Sequence, residues 1–470
     1  MSLRTALPEV VPRPTQDRER RIRTRRRMRA ADLLVALSWS SVAMAVSLYL
    51  AGGGLARVTD LASGITAAGI VTGLVGTDLI LVMLVLAARI PLIDRVVGQD
   101  TAMAFHRRLG KPALYLLLAH GLLLTIGYSL ADGVNVVAET VALFQGEDMA
   151  LAYLALGLLV TVVVSSLVAV RRRFPYEVWH LIHLLSYVAV LVALPHQLSA
   201  GGVLADGSVQ QVYWLGLYVL AFGSIALFRF VLPTVRSARH GIRVAAVEPI
   251  AAGVVSLHLT GRHLDRLQTQ GGQYAIWRFW TGATWWHAHP ISFSAMPTST
   301  SARITVRALG QGSSALGRVR PGTRVSIEGP YGIFTHSHRT QARVAVVAAG
   351  IGITPVRSLL EHADLQPGEA TVLLRATDPS QSYLWEEIGS LPGMRGNSIY
   401  TVLGPRPSGL ATWLSAEALG RGVTLTSAFP DLLDSDLYVC GPQAWTDLVI
   451  RDARAAGLPE VQIHVERFDW

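Results

Sequence analysis

Residues 105–120 read FHRRLGKPALYLLLAH, and residues 176–196 read YEVWHLIHLLSYVAVLVALPH. Both are apolar enough to be membrane helices, and both carry histidine. Imidazole in hydrocarbon is costly and marks a ligand, a proton path or a pairing site. Between residues 31 and 233 the histidines are His106, His120, His180, His183 and His196, all within these two stretches. Two helices that each offer two histidines can hold b-type haem between facing helices. His106 and His120 differ by 14 positions, a rise of about 21 Å that brings them within roughly 40° of one face. His183 and His196 differ by 13, about 20 Å, and Pro195 offers a kink that helps to align them. His180 competes with His183, but its 16-residue separation from His196 matches the first pair less well. The separation is that of two haems stacked across a bilayer.

The rest of the membrane half follows from hydropathy and charge. The 470 residues are 51% hydrophobic and 16% charged, with a mean hydropathy of +0.39, against about 25% charged in a typical soluble protein. Apolar runs at about 31–51, 64–88, 112–131, 149–170, 178–199 and 211–233 each meet the roughly 20 residues that a spanning helix needs. Ten arginines stand against three acids in residues 1–30, so most of the formal +9 charge is local. It reads as a cytoplasmic anchor at the lipid surface and excludes nucleic acid as the reason for the basic balance. Arg89, Arg95, Arg107, Arg108 and Lys111, then Arg171–Arg173, then Arg229, Arg236, Arg239 and Arg243, alternate with neutral or acidic loops holding Asp132, Glu139, Glu147 and Asp148. The positive-inside rule then places both termini in the cytoplasm of a multi-pass plasma-membrane protein. Asp78, in mid-span, is a candidate for proton movement or for pairing with an arginine. The single cysteine, Cys440, excludes a disulfide framework and a cysteine-ligated iron–sulfur cluster within the chain.

After about residue 236 the pattern changes. GVVSLHLTG (253–261), ARITVRALG (302–310) and TRVSIEGPYG (323–332) are short β-type runs, which predict a small antiparallel barrel. GGQYAIW (271–277) and HPISFSAMP (289–297) lie within it. The second offers His289, Pro290, Ile291 and Ser292 to a flat isoalloxazine and its ribityl chain. Arg307 can meet a pyrophosphate with a bidentate fork. GQGSSALG (310–317) adds Gly312, Ser313, Ser314 and a helix start for the phosphates. From about 341, strands alternate with helices, which implies a parallel sheet. VAVVAAGIGITPVRSLL (344–360) reads as a buried strand, a glycine turn, and a helix capped by Thr354 with Pro355 in its first turn. Gly350 and Gly352 let a pyrophosphate approach the backbone. DLYVCGPQAW (436–445) repeats the logic with Cys440, Gly441 and Pro442, the thiol serving as a packing partner for a nicotinamide ring. Arg375 closes a strand where an adenosine 2′-phosphate would favour NADPH over NADH. The expected organisation is a basic tail (1–30), a six-helix transmembrane bundle (31–233), an FAD-binding barrel (236–336) and an α/β NAD(P)-binding domain (341–470).

With these motifs in hand, the chain after its tail resembles the ferric reductase and NADPH oxidase family, a six-helix haem domain joined to a ferredoxin–NADP reductase-type module. The resemblance implies that His106 and His183 hold an inner haem b and His120 and His196 an outer one. It implies flavin contacts at His289, Pro290 and Ser292, and nicotinamide motifs at AGIGITP (349–355) and CGP (440–442). It also places a C-terminal aromatic on the flavin, here Phe468 in HVERFDW (464–470), with Trp470 close enough to compete. Cys440, Glu466 and Phe468 are thus the residues expected around hydride transfer. NAD(P)H gives two electrons at once and a haem iron takes one, so a flavin must stand between them. The expected activity is electron transfer from cytoplasmic NAD(P)H through FAD and two haems to an outside acceptor. A ferric ion or chelate is favoured over oxygen reduced to superoxide, with a periplasmic partner or quinone third. Readings from other classes are a transporter gated by a nicotinamide-sensing domain and a membrane-anchored flavin reductase without haem.

Overall fold

The computed structural model describes residues 14–199, 203–282 and 284–467. Among them are six helices long and apolar enough to cross a membrane: 16–51, 61–87, 99–132, 149–166, 177–199 and 209–240. They are built from α1 (Pro14–Ala51), α2 (Leu61–Ala87), α3 (Gln99–Asp132), α4 (Met149–Ser166), α5 (Tyr176–Val192), α6 (Leu194–Ser199), α7 (Val209–Ile225) and α8 (Leu232–His240). Asp60 starts α2, its carboxylate accepting the Ser63 N–H at 2.8 Å, the side-chain capping that a helix N-terminus requires. Gly69, Gly73 and Gly76 form the face of α2 that meets α3, against Leu124, His120 and Leu117 in turn. Small residues at such spacing let two membrane helices approach closely. Helix α3 runs without interruption through Pro112. The fifth span breaks at Ala193, so His183 lies on α5 and His196 on α6.

The chain forms two compact units. One comprises residues 30–93 and 99–229, and the other residues 1–29, 94–98 and 230–470. The second unit therefore takes in the arginine-rich start of α1 and five residues from the connection between α2 and α3. Arg23 Nη1 donates to Ser337 O at 3.3 Å, and the Gly332 N–H donates to the Asp94 carboxylate at 3.1 Å.

In the second unit, α8 is bound to the first sheet through Arg236 Nη1 donating to Gly329 O (2.6 Å) and the Ile327 N–H donating to Ser237 Oγ (3.0 Å). That sheet is antiparallel, in the order β1 (Arg243–Ala251), β2 (Val254–Thr260), β5 (Ser301–Arg307), β4 (His289–Ala295), β3 (Tyr274–Phe279), β6 (Val325–Tyr331). The expected barrel is not closed by a full ladder: β1 and β6 meet at a single bridge, Arg243 to Arg324. Its core is Trp277, Phe279, Phe293, Leu257 and Ile304. The second sheet is parallel, in the order β11 (Ile463–Glu466), β10 (Ser435–Cys440), β7 (Arg343–Ala349), β8 (Ala370–Arg375), β9 (Ser398–Val402). After the short α9 (Gln311–Leu316), helices α10 (Ile353–His362) and α11 (Gln443–Ala455) pack on opposite faces of this parallel sheet. Strands buried on both faces read as near-continuous apolar runs, as VAVVAA does. The two sheets are joined where the Gly271 N–H donates to His362 Nδ1 and the Gly272 N–H to Ser358 Oγ, each at 3.0 Å.

Candidate functional site

In the membrane unit, His106 Nδ1 lies 3.1 Å from Met83 O and His120 Nδ1 lies 2.8 Å from Gly69 O. A carbonyl only accepts, so each Nδ1 carries the hydrogen and each Nε2 presents a lone pair. His183 Nδ1 is 3.4 Å from Ser166 Oγ, whose hydroxyl already donates to Val162 O and accepts from Trp179 Nε1. Trp179 also stacks on the His183 ring, with centroids 5.2 Å apart. Anchoring one ring nitrogen orients the other toward a metal.

The His106 and His183 rings meet with centroids 6.1 Å apart. Two imidazoles bound to one iron through bonds of about 2 Å have their centres about 6 Å apart, so the pair fits a haem iron between them. His180 has its ring beside Trp179. His196 Nδ1 is buried without a partner. A Cβ at position 73 would lie 2.4 Å from His120 Nδ1, so the glycine there is what admits the ring against α2. Asp78 is fully buried. Among the described residues it pairs with no arginine; its Oδ1 accepts from Ser41 Oγ at 2.7 Å, and Oδ2 is unpartnered.

In the second unit the site forms where strand ends converge. Strands β7 and β10 are neighbours at which the order of the parallel sheet reverses, and ligands of open α/β sheets lie beyond the strand ends at such a point. The Gly350–Gly352 turn crosses the end of β10 so closely that a Cβ at Gly352 would lie 2.4 Å from Cys440 O. Gly441 and Pro442 follow and lead into α11. Cys440 faces Glu466 in the β10–β11 register, and Glu466 Oε2 lies 3.6 Å from the place of a Cβ on Gly332. That place is also 3.3 Å from the Tyr274 ring, and Tyr274 is the register partner of Ser292. Strand β4 and the Gly350–Gly352 turn thus border one site.

At its other end, Gly312 stands over His289: a Cβ there would lie 3.1 Å from Cε1. Arg307 Nη1 and Tyr383 Oη lie 3.9 and 4.0 Å from the corresponding place on Gly350. Ser292 Oγ, His289 Nε2 and Tyr383 Oη are buried with no hydrogen-bond partner. Buried polar atoms are normally satisfied, so these three are candidates for contact with a polar ligand. The Cys440 thiol is pushed well up by burial and then by Glu466, so it remains protonated and packs as a neutral group.

Several expectations are corrected. Arg375 is buried and donates to Ala376 O, Val402 O and Gly404 O. It braces the strand-end loop and is not free for a 2′-phosphate. Thr354 is not the cap: α10 begins at Ile353, and the Thr354 hydroxyl donates back to Ile351 O. Pro355, the third residue of that helix, lies in its first turn as expected. Ser313 Oγ is occupied in accepting the Leu309 and Gly310 N–H groups, whereas Ser314 is exposed. Pro290 and Ile291 are half-buried on β4. Phe468 and Trp470 lie outside the described residues. Tyr274, Gly332, Tyr383 and Gly73 were not singled out from sequence. The GGQY and EGPYG segments were visible, but their meeting in space was not.

Three imidazoles in this unit are held near pKa 4. In His289 the cause is burial, then His287 and Arg278. In His336 it is burial, then His362 and Arg339, and in His338 burial, then Arg27. An unfolded histidine titrates near 6.5. Unfolding therefore takes up protons between about pH 6.5 and 4, and stability falls as the pH drops through that window. Thermal melts should show a lower Tm for this unit at pH 5 than at pH 7.5. An unchanged Tm would mean that these rings are not held neutral by the fold.

The ferric reductase like transmembrane component family model matches residues 72–194. A flavohemoprotein of Xylella fastidiosa is 26% identical over 208 residues, covering 42% of this chain and 51% of that protein. Ferredoxin–NADP reductase B of Sorangium cellulosum is 31% identical over 168 residues, covering 34% of this chain and 68% of the reductase. The chain spans about half the length of the flavohemoprotein. Among solved structures, the FAD/NAD-binding domain of a nitric oxide dioxygenase from Vibrio cholerae aligns at a TM-score of 0.40 and 22% identity. It covers 49% of this chain and 99% of that domain.

Proposed function

Because the chain belongs to the family that joins a ferric reductase-like transmembrane component to a ferredoxin–NADP reductase-type FAD/NAD(P) module, we propose that it is a transmembrane flavocytochrome b. It would carry electrons from cytoplasmic NAD(P)H to an acceptor across the plasma membrane. The observation that carries this reading is the approach of His106 and His183, 6.1 Å between ring centroids, with the anchored Nδ1 of His106 leaving its Nε2 free to ligate.

When bound, FAD takes the electron pair of a hydride and returns the electrons singly, and haem b carries one at a time. His106 and His183 would hold one haem and His120 and His196 a second. Met83 O, Gly69 O and Ser166 Oγ fix the ring orientation of three of the four. Ser292 Oγ and His289 Nε2 are the polar atoms that a bound flavin would satisfy, with Gly312 beside them. Gly350 and Gly352 give a nicotinamide dinucleotide close access to the backbone, and Arg307 supplies the positive charge at the same turn. Cys440 and Glu466 border the groove between the two cofactor sites. The buried thiol excludes water there without adding charge, and Tyr274 closes the flavin side.

A ferric ion or chelate is the acceptor we favour. Asp132, Glu147 and Asp148, on the side opposite the arginine-rich loops, attract a ferric cation more than a neutral gas, whereas Glu139 is buried. The test uses sealed vesicles with NADPH on the module's side and ferric citrate or oxygen on the other. The expected result is ferrous iron production that superoxide dismutase does not reduce. Loss of that signal with dismutase would make oxygen the acceptor. Equal rates with the haem ligands removed would leave a flavin reductase on a membrane anchor.

A further inference from the structure

The electron path leaves Asp78 unused, although it is fully buried in the membrane unit. Helix α2 runs from Leu61 to Ala87, so about 26 Å of helix lies on one side of Asp78 and about 14 Å on the other. Three helices meet at the carboxylate. Ser41 Oγ on α1 donates to Asp78 Oδ1 at 2.7 Å and lies 3.0 Å from Tyr213 Oη on α7. Ser41 has spent its one hydrogen on Asp78, so Tyr213 donates to the serine hydroxyl or to Ser41 O, 3.1 Å away. Oδ2 has no hydrogen-bond partner. A carboxyl group this deep in hydrocarbon is costly and marks a functional site by default. Oδ2 is the atom left free to take a proton.

Asp78 sits between the levels of the two histidine pairs. Toward one end of α2, Met83 O meets His106; toward the other, a Cβ on Gly73 would strike the His120 ring. Each of these positions is about 7.5 Å of helix rise from Asp78. The carboxylate itself is turned to α1 and α7, away from α3. Height and one helix width together put it about 12 Å from either pair. With an effective dielectric constant of about 20, a unit charge at about 12 Å shifts an equilibrium by about ten-fold.

The helices around α2 bring other ionisable groups: Tyr213 and Tyr218 on α7, Tyr187 on α5, Tyr49 on α1, and His106 and His120 on α3. Arg229 reaches α2 at its end, where Nη1 donates to Ala87 O at 3.3 Å. Tyrosine titrates near about 10, and an imidazole that ligates a metal stays neutral. Asp78 is the acid among them whose charge can follow the irons. Resting on the reading of this unit as a haem domain, we propose that Asp78 is a redox-linked proton site. It binds one proton from water on Oδ2 when one electron enters the domain, and it releases that proton when the electron passes to the acceptor. Electron and proton arrive and leave in equal number, so the net buried charge is unchanged. Ser41 holds Oδ1 in both states and links the site to the half-buried Tyr213 hydroxyl.

The experiment is a redox titration of the purified full-length protein, followed by haem absorbance from about pH 5.5 to 8.5. Proton uptake on reduction makes the midpoint potential fall as the pH rises. In the wild type the fall should correspond to about ten-fold, or about 59 mV for one electron, and it should be absent from Asp78→Asn. The reduced-minus-oxidised infrared spectrum should carry a carboxylic C=O band that shifts in heavy water and is missing from Asp78→Asn. A fall that survives in Asp78→Asn overturns the assignment. So does a wild type with no such infrared band, a result that holds even if the asparagine variant fails to fold. A wild-type midpoint independent of pH overturns it while leaving the haem reading intact. A wild type without haem overturns both.

Discussion

Replacing His106 by alanine is expected to remove one haem of two and to lower electron delivery to the outside by about 100-fold or more, while NAD(P)H still reduces the flavin. The expectation follows from position and chemistry together. The His106 ring faces His183 at 6.1 Å, and its Nδ1 is tied to Met83 O. Alanine offers no donor, and a helix carbonyl cannot replace one. The reductase groups, His289, Ser292, Gly350, Gly352 and Cys440, all lie in the other compact unit, so flavin reduction should persist. Ser166→Ala provides a graded companion. It removes the hydroxyl beside His183 Nδ1 and keeps the ligand, and losing such a partner typically costs 10–100-fold in metal affinity. Stopped-flow absorbance separates the flavin phase from the haem phase. If the flavin phase also disappears in folded His106→Ala protein, the two units do not divide the work in this way.

Gly352→Ala is expected to be the most damaging small change in the reductase module. Its Cβ would lie 2.4 Å from Cys440 O, 2.5 Å from Cys440 C and 2.7 Å from Gly441 N. These are backbone atoms, which cannot rotate aside as a flexible side chain can, so the turn and the strand end must separate. Overpacking of this kind costs about 1–3 kcal/mol or more, and here it opens the place where the dinucleotide would lie. NAD(P)H-driven flavin reduction should fall by at least about 10-fold, with flavin and haem content retained. Gly350→Ala provides the contrast. Its φ is +55°, so alanine there costs about 1–2 kcal/mol in backbone strain, but its Cβ would have nothing nearer than 3.9 Å. The order of damage should be Gly352 above Gly350, read from the KM for NADPH and from Tm. The reverse order would mean that left-handed conformation, and not close crossing, governs this turn.

Much of this was legible in the residues, because the strongest signals are local. Apolar runs of spanning length, arginines on alternate loops, and the strand–glycine–helix pattern at 344–360 all depend on neighbours in sequence. The histidines were conspicuous because hydrocarbon makes any imidazole exceptional. What the sequence did not show depends on contacts between distant segments. Gly73 reads as one more small residue in an apolar helix until α3 brings His120 against it. Arg375 reads as a free cation at a strand end until the loop after β9 turns its carbonyls toward it. Thr354 looks like a cap, but α10 starts one residue before it, with Pro355 in the first turn as its sequence suggests. The barrel expectation rested on strand count and turns. Ladder closure depends on the last pairing, which here shrinks to one bridge between Arg243 and Arg324.

The central claim is that histidine pairs on the third and fifth spans clasp two irons, one nearer each side of the membrane. The most direct measurement is haem stoichiometry of the purified chain by pyridine haemochrome, joined to low-temperature EPR of the oxidised protein. The account predicts two haem b per chain, both with low-spin bis-imidazole signals, one lost in His106→Ala and the other in His120→Ala. A single haem, or two that both survive either substitution, would contradict it.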